Sequence, residues 1–222
     1  MLFRSDRWEA TTKTPVYQGY GLTETSPVAT LNPFQRAKRD SIGVPIPGTD
    51  VRFVDGDGRD VPPSEGGELL VKGPQVMHGY WQRPDESARV LRDGWLATGD
   101  VARMDDDGYL YIVDRKKDMV VSGGFNVFTA EVEAAVTELA QVREACVFGI
   151  PHEKWGEQVH AVVVAEGISD AEIIAYAKER LGGVKAPKSV EFVDSIPRTA
   201  AGKMDKKALR TKYWGDSQRM VN

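Results

Sequence analysis

Tyr20-Gly21-Leu22-Thr23-Glu24 is the stretch that decides how this chain is interpreted. An aromatic ring, a glycine, a hydroxyl and a carboxylate follow one another within a single short turn. Taken alone, such a turn could be a surface loop with an aromatic anchor. Its significance comes from the motifs that follow it in order along the chain: Gly67-Glu68-Leu69, Thr98-Gly99-Asp100, Asp114-Arg115-Lys116-Lys117 and Gly202-Lys203.

The composition is that of an ordinary globular protein. The chain has 222 residues, enough for one large domain or two small ones, with 41% hydrophobic and 28% charged residues. No apolar run approaches the ~18 residues of a membrane span. The net charge of −4 argues against nonspecific binding of nucleic acid. The sequence therefore predicts neither an integral membrane segment nor a nucleic-acid partner.

The few cysteine and histidine residues give no indication of a disulfide, a nucleophilic thiol or a metal site. The single cysteine, Cys146, cannot form a disulfide within the chain, which fits a reducing compartment such as the cytoplasm. It lies in the apolar run Ala145–Phe148, so we expect a buried structural thiol rather than a nucleophile. His78, His152 and His160 show no metal-ligand spacing.

The first half of the sequence predicts mainly strands. Two turns rich in Asp and Gly, at 55–58 and 105–108, each separate a pair of apolar segments. A short helix is predicted over Asp85–Leu91, after Pro84. The predicted strands are Val51–Val54, Gly67–Lys72, Val101–Met104 and Tyr109–Val113.

The second half predicts alternating helices and strands. Val132, Val136 and Leu139 recur at the spacing of one helix face, and Thr129 is expected to cap that helix. A second helix is predicted from the capping box Ser169–Glu172 through Leu181, and Gly182-Gly183 ends it. A third helix is predicted from Asp205 to Tyr213, with Leu209 and Tyr213 on one face. The predicted strands are Val142–Ile150, Gln158–Ala165 and Val190–Val193.

In this order the motifs resemble the back half of the adenylate-forming enzymes, the superfamily of acyl-CoA synthetases, luciferases and nonribosomal adenylation domains. The resemblance extends from about Tyr17 to Tyr213. It implies an α+β fold, with a β-rich remnant of the large N-terminal nucleotide-binding domain at 1–115 and a small mobile α+β lid domain at 116–222. Lys117 matches the hinge on which the lid rotates, although a plain charged turn is the other interpretation.

The resemblance implies that the first half contacts ATP. Tyr20 would lie against the adenine, Gly21 would let the backbone approach the ligand, and Thr23 would contact the α-phosphate. Glu24 would hold Mg²⁺, a hard cation that prefers carboxylate and phosphate oxygens. Asp100 would accept hydrogen bonds from both ribose hydroxyls.

The same resemblance assigns roles in the second half. Arg115 would reach the ribose and the phosphates. Gly123 and Gly124 would line the pantetheine channel of coenzyme A, and a tight turn with positive φ is compatible with that role. Lys203 aligns with the lysine that bridges the attacking carboxylate and the α-phosphate, and Gly202 is expected to give its loop mobility.

The implied reaction has two steps. A carboxylate attacks the α-phosphorus of ATP to give an acyl-adenylate and pyrophosphate, and CoA then displaces AMP to give a thioester. The expected partners are therefore a carboxylic acid, ATP and CoA. Catalysis would rest on positioning and on the stabilisation of negative charge.

Features of the family are missing from this sequence. It contains no Gly/Ser/Thr-rich loop that ends in lysine, the segment that cradles the β- and γ-phosphates, and of the acyl pocket only Thr25 and Ser26 would touch the acid. Met1–Ser5 matches nothing expected before Tyr20, and no signal peptide is visible at Met1–Arg7. We therefore expect a truncated chain that requires the missing N-terminal subdomains of its own full-length protein and is inactive by itself.

Two alternatives remain at this point. A nonribosomal-type adenylation domain would load a carrier protein instead of CoA, although the segment Ser122-Gly123-Gly124 favours the CoA branch. A non-catalytic interaction module built from the lid would give Lys203 and Glu24 no purpose. Nothing in the sequence selects a luciferase-like oxygenase.

Overall fold

The computed structural model describes residues 8–200 and 202–215, and the chain divides into two compact units between Val113 and Asp114. Both units mix strands and helices, and strands predominate. The fold is therefore α+β, as the sequence predicts. No helix within the described ranges is both long and apolar enough to cross a membrane.

Unit 1, up to Val113, is built from two antiparallel sheets and a short helix. The first sheet has the order β1-β2-β3, and the second has the order β4-β5-β7-β6 with β8 paired to β7. Residues 8–12 are also helical. The elements are β1 (Gly19–Tyr20), β2 (Thr30–Leu31), β3 (Val44–Pro45), β4 (Asp50–Val54), β5 (Gly67–Lys72), α1 (Pro84–Val90), β6 (Leu91–Arg92), β7 (Trp95–Met104) and β8 (Leu110–Arg115), the last two residues of which, Asp114 and Arg115, are counted with unit 2.

The core of unit 1 follows from the alternation of side chains along its strands. Leu69 and Val71 on β5 are fully buried, whereas Leu70 between them is partly exposed. They pack with Phe53 from β4 and Leu110 from β8. The predicted strands and their pairings across the two Asp/Gly turns are confirmed, with β7 beginning earlier than its pattern predicts. The helix predicted over Asp85–Leu91 is present and occupies Pro84–Val90.

The turn after β1 folds back so tightly that only glycine fits at its start. The Ala29 amide donates to the Tyr20 carbonyl at 2.8 Å, which closes the turn. A Cβ built on Gly21 would lie 1.7 Å from the carbonyl oxygen of Pro27 and 2.8 Å from the Cα of Val28. Gly21 thus permits a close approach of the chain to itself, and its approach to a ligand stays a prediction.

Unit 2 is a five-stranded sheet covered by helices on both faces. Four strands have the order β10-β9-β12-β11 and are antiparallel, and β13 pairs parallel to β12. The elements are β9 (Val120–Ser122), β10 (Phe125–Val127), α2 (Thr129–Val136), β11 (Val142–His152), β12 (Gly156–Ala165), α3 (Asp170–Lys185), β13 (Ser189–Phe192) and α4 (Lys206–Trp214).

Both faces of β11 are buried. Ala145 and Val147 pack with residues of α2 and α3 on one face, and Cys146 and Phe148 pack with residues of α4 on the other. Burial raises the pKa of the Cys146 thiol to about 12. The thiol is therefore protonated and inert, which confirms the expected structural cysteine.

The helix that begins at Thr129 differs from its prediction at both ends. Thr129 is not the N-cap: that position is Phe128, which has no capping side chain. The backbone amide of Thr129 and its hydroxyl both donate to Oδ2 of Asp114, so a carboxylate from the end of β8 satisfies the helix start. The helix ends at Val136, and Leu139 packs on the same core from outside it.

The other two helix starts of unit 2 are confirmed. Ser169 and Glu172 form the predicted capping box at the start of α3. The carboxylate of Asp205 accepts from the Ala208 amide at 3.0 Å at the start of α4. Gly182, with φ 81° and ψ 166°, breaks α3 where the sequence predicts its end, and a further helical turn follows to Lys185.

His160 is a buried titratable group between β12, β13 and α4. Its Nδ1 lies 2.8 Å from Ser189 Oγ, and its Nε2 lies 2.9 Å from the Tyr213 hydroxyl. The carboxylate of Glu191, itself paired with Lys212, is 4.0 Å from Nε2. Burial lowers the pKa of His160 below its ordinary value of 6.5, although Glu191 opposes this shift and raises it.

We predict that Gly21→Ala destabilises unit 1 by about 3 kcal/mol, because the new methyl group must displace backbone rather than a side chain. Urea unfolding followed by tryptophan fluorescence measures this change. Gly56→Ala is the matched control, since no atom lies within 4 Å of a Cβ at Gly56 and its φ is not positive. Equal stability of the two variants would contradict the prediction.

We predict that His160 makes unit 2 less stable in acid. Below the ordinary pKa of 6.5, the unfolded chain binds a proton that the folded His160 resists, so stability is lost as the pH falls through that value. Each unit of pKa difference corresponds to about 1.4 kcal/mol. Thermal unfolding of the wild type between pH 7.5 and pH 5.5 should therefore decline more steeply than that of His160→Gln, and parallel curves would contradict this.

Candidate active site

Tyr20 and Asp100, which are distant in the sequence, are in direct contact. The Tyr20 hydroxyl donates to Asp100 Oδ2 at 2.7 Å, and Asp100 is only 7% exposed. The backbone amide of Asp100 donates to the Thr98 hydroxyl at 3.1 Å, which in turn donates to the carbonyl of Leu69 at 2.8 Å. The motif at 98–100 is therefore anchored to β5, and it holds Asp100 against the aromatic ring of the first motif.

The turn Thr23–Thr25 is a single 3₁₀ turn that presents one hydroxyl and uses the other internally. Thr23 is exposed. Thr25 is fully buried, and its hydroxyl accepts from the Leu22 amide at 2.8 Å and donates to the Leu22 carbonyl at 3.0 Å. The hydroxyl of Thr25 is therefore engaged within the turn, and its expected contact with the acid stays a prediction.

Glu24 is held from a segment that contains none of the predicted site residues, the stretch from Met77 to Tyr80. The Tyr80 hydroxyl donates to Glu24 Oε1 at 2.7 Å, and the Met77 amide donates to the Glu24 carbonyl at 2.9 Å. The hydrogen bond to the carboxylate raises the pKa of Tyr80 to about 12, so this phenol is a neutral donor at physiological pH. The sequence contains no signal for this contact, because the two residues are joined only by the tertiary fold.

Lys203 lies at the end of a tight loop in unit 2. The Gly202 amide donates to the Thr199 carbonyl at 2.8 Å, and the Thr199 amide donates to the Lys203 carbonyl at 2.8 Å. Arg198 closes the same loop by donating to the Gly202 carbonyl at 3.1 Å. Gly202 has φ 77°, a left-handed backbone conformation that favours glycine, and the expected mobility of the loop stays a prediction. Lys203 itself is exposed.

Arg115 and Lys117 flank the turn that begins unit 2. The amides of Asp118 and Met119 donate to the Arg115 carbonyl at 2.8 and 3.0 Å, which closes the turn. Arg210 of α4 forms an ion pair of 2.7 Å with Asp118. The residue after the predicted hinge is thus fixed to the helix that follows Lys203.

Gly123 and Gly124 form the turn between β9 and β10, with φ 58° and 84°. The predicted tight turn with positive φ is therefore confirmed. The Gly123 amide donates to the Trp155 carbonyl at 3.0 Å, and a Cβ on Gly123 would lie 3.6 Å from the Trp155 ring. That ring stacks on His152 with centroids 4.3 Å apart. The aromatic neighbour of the glycine pair was not predicted, because it comes from another hairpin.

The structure divides the predicted site residues between the two units. Tyr20, Gly21, Thr23, Glu24 and Asp100 lie in unit 1. Those in unit 2 are Arg115, Lys117, Gly123, Gly124 and Lys203.

Two protein-family models match the chain. The model described as AMP-binding enzyme matches residues 4–81, and the model described as AMP-binding enzyme C-terminal domain matches residues 131–203. The first match contains the Tyr20 motif and the second ends at Lys203.

Relatives and solved structures agree with these matches. The chain is 49% identical over 209 residues to a long-chain-fatty-acid–CoA ligase of Yersinia pestis, which covers 93% of the chain and 37% of that protein. It is 48% identical over 201 residues to a feruloyl-CoA synthase of an Amycolatopsis species, covering 88% of the chain and 41% of that protein. The crystal structure of ATP-bound MatB from Rhodopseudomonas palustris superimposes with a TM-score of 0.86 at 37% identity, covering 96% of this chain and 44% of MatB.

The motifs, the fold and these matches lead to one conclusion. The chain spans about two fifths of the length of the relatives it resembles. It belongs to the adenylate-forming AMP-binding enzymes, and it corresponds to their C-terminal portion.

Proposed function

We propose that this chain is the C-terminal part of an AMP-forming acid–CoA ligase. The observation that carries the proposal is the contact between Tyr20 and Asp100, which joins an aromatic ring and a carboxylate as one wall for a nucleoside. An aromatic face suits adenine, and a carboxylate can accept from two ribose hydroxyls. The names of the relatives, both CoA ligases or synthases, support the same reaction.

Adenylation would combine residues of both units. The exposed hydroxyl of Thr23 would bind the α-phosphate, and Arg115 would bind the ribose and phosphate side. Lys203 would lie between the attacking carboxylate and the α-phosphate, where its positive charge reduces the repulsion between the two anions as the acyl–phosphate bond forms and pyrophosphate leaves. Rotation at Lys117 would then bring Gly123 and Gly124 to the pantetheine arm for the thioester step.

Glu24 fits the role of a magnesium ligand that acts together with the nucleotide. Within the part of the chain that the structure describes, no group of three or more His, Cys, Asp or Glu side chains is placed to hold a metal ion. Mg²⁺ commonly binds through one or two carboxylates, with substrate phosphates and water completing its shell. The ion would neutralise phosphate charge during adenylation. A single oriented carboxylate such as that of Glu24 is therefore a sufficient protein ligand for Mg²⁺ when the nucleotide is bound.

The names of the relatives suggest two classes of substrate acid. Relatives of 49% and 48% identity are named for a long-chain fatty acid and for an aromatic acid. We propose a carboxylic acid of one of these two classes, with fatty acids first because several of the relatives share that name. We also propose that residues 1–222 alone are inactive, because they contain no Gly/Ser/Thr-rich loop ending in lysine for the β- and γ-phosphates.

The test uses the full-length protein that contains this chain. We predict that Lys203→Ala lowers acid-dependent pyrophosphate exchange about 100-fold or more, because a charge aimed at the transition state is lost. Thioester formation from preformed acyl-adenylate should change only a few-fold. The assays use ATP, Mg²⁺, CoA and a panel of short, long and aromatic acids.

Lys207→Ala is the matched control, since Lys207 is an exposed lysine of the same region. It should leave both half-reactions unchanged. If the wild-type protein forms an acyl-adenylate from none of the acids in the panel, the proposed function is refuted. Acid-dependent exchange without a CoA thioester would instead favour a carrier protein as the acceptor.

A further inference from the structure

The carboxylate of Glu24 is oriented by a phenol and not by a cation. Tyr80 donates to Oε1 at 2.7 Å, and among residues 8–113 of unit 1 no Lys, Arg or His forms an ion pair with Glu24. No hydrogen bond to the second oxygen, Oε2, is present within the same residues. One carboxylate oxygen is therefore occupied by a neutral donor, while the negative charge is retained.

A second carboxylate of unit 1 shows the contrasting arrangement. Asp105 also accepts from a tyrosine, Tyr111, at 3.0 Å, but it is paired in addition with Lys38 at 2.6 Å. The ammonium group lowers the pKa of Asp105 and compensates its charge. Asp105 is thus a structural carboxylate. Glu24 also accepts from a tyrosine, but within residues 8–113 it has no such cation beside it.

Tyr80 is itself held firmly. Its backbone amide donates to the hydroxyl of Ser87 in α1 at 2.8 Å, and that hydroxyl donates to the Arg83 carbonyl at 2.8 Å. A Cβ on Gly79 would lie only 3.0 Å from Ser87 Oγ, so a side chain at Gly79 would disturb the hydrogen bond between Ser87 and Tyr80. Because Met77 also binds the Glu24 carbonyl, the two segments are joined through both backbone and side chain.

We propose that Tyr80 is a positioning residue for Glu24: it fixes the carboxylate through one oxygen and leaves the other, with its charge, to bind the divalent cation that accompanies ATP. This inference rests on the proposed function. A neutral donor suits the task because a lysine or arginine at this place would compete with the metal ion for the carboxylate. Tyr80 acts through Glu24 and does not itself bind the cation.

The test measures metal binding directly. The full-length protein is titrated with Mn²⁺, as a paramagnetic substitute for Mg²⁺, in the presence of a non-hydrolysable ATP analogue, and free Mn²⁺ is measured by electron paramagnetic resonance. We predict that Tyr80→Phe raises the Kd for Mn²⁺ about 10-fold or more, the range found when a group that orients a metal ligand is removed. The Mg²⁺ concentration for half-maximal pyrophosphate exchange should rise by a similar factor.

Tyr111→Phe is the matched control. It removes a hydroxyl that donates to a carboxylate in the same unit, but at Asp105. It should leave the Kd for Mn²⁺ unchanged even where it lowers the melting temperature. An equal effect of the two variants on Mn²⁺ binding would overturn the inference and assign Tyr80 to general stability.

A double-mutant cycle with Glu24→Gln separates positioning from stability. If Tyr80 acts through Glu24, then Tyr80→Phe has no further effect on Mn²⁺ binding once Glu24 is Gln. Additive effects would overturn the inference. The cycle also remains informative if Tyr80→Phe is less stable, since its instability would persist in both backgrounds.

The proposed function and this inference fail in different ways. Wild-type protein that activates no acid refutes the ligase assignment. Wild-type protein that makes acyl-CoA, together with a Tyr80→Phe variant that binds Mn²⁺ as tightly as wild type, refutes only the role of Tyr80.

Discussion

The steric constraint at Gly21 is the feature on which unit 1 depends. The backbone there passes so close to the Pro27 carbonyl that no side chain fits between them. Because the turn is compact, its two ends remain fixed: Tyr20 stays in β1 beside Asp100, and Glu24 stays beside Tyr80. A looser turn would leave a ring and a carboxylate near each other in sequence but without a common orientation.

In unit 1 a tyrosine hydroxyl repeatedly orients a carboxylate. Tyr20 holds Asp100, Tyr80 holds Glu24 and Tyr111 holds Asp105. Phenols suit this purpose because they are rigid and donate without cancelling the charge. Whether the carboxylate then serves structure or chemistry depends on its other neighbours, and Asp105 with its lysine is structural.

Unit 2 relies on a different principle, a sheet buried on both faces. The alternation along β11 and β12 provides one apolar face for α2 and α3 and another for α4. This places the loop of Lys203 at the start of α4, which Asp205 caps and which the pair of Arg210 with Asp118 ties to the beginning of the unit. The exposed lysine is therefore carried on a rigid body, which suits the role proposed for Lys203 in adenylation.

The sequence by itself determined what depends on local patterns: most of the strands, the capping box at Ser169, the cap at Asp205 and the order of motifs that indicates the family. It did not predict the carboxylate of Asp114 at the start of α2, the engagement of Thr25 within its own turn, or the contacts of Tyr20 with Asp100 and of Tyr80 with Glu24. These contacts join residues that are distant along the chain, apart from the turn of Thr25. Local propensity carries no information about such partners, since they meet only when the strands have paired and the core has closed.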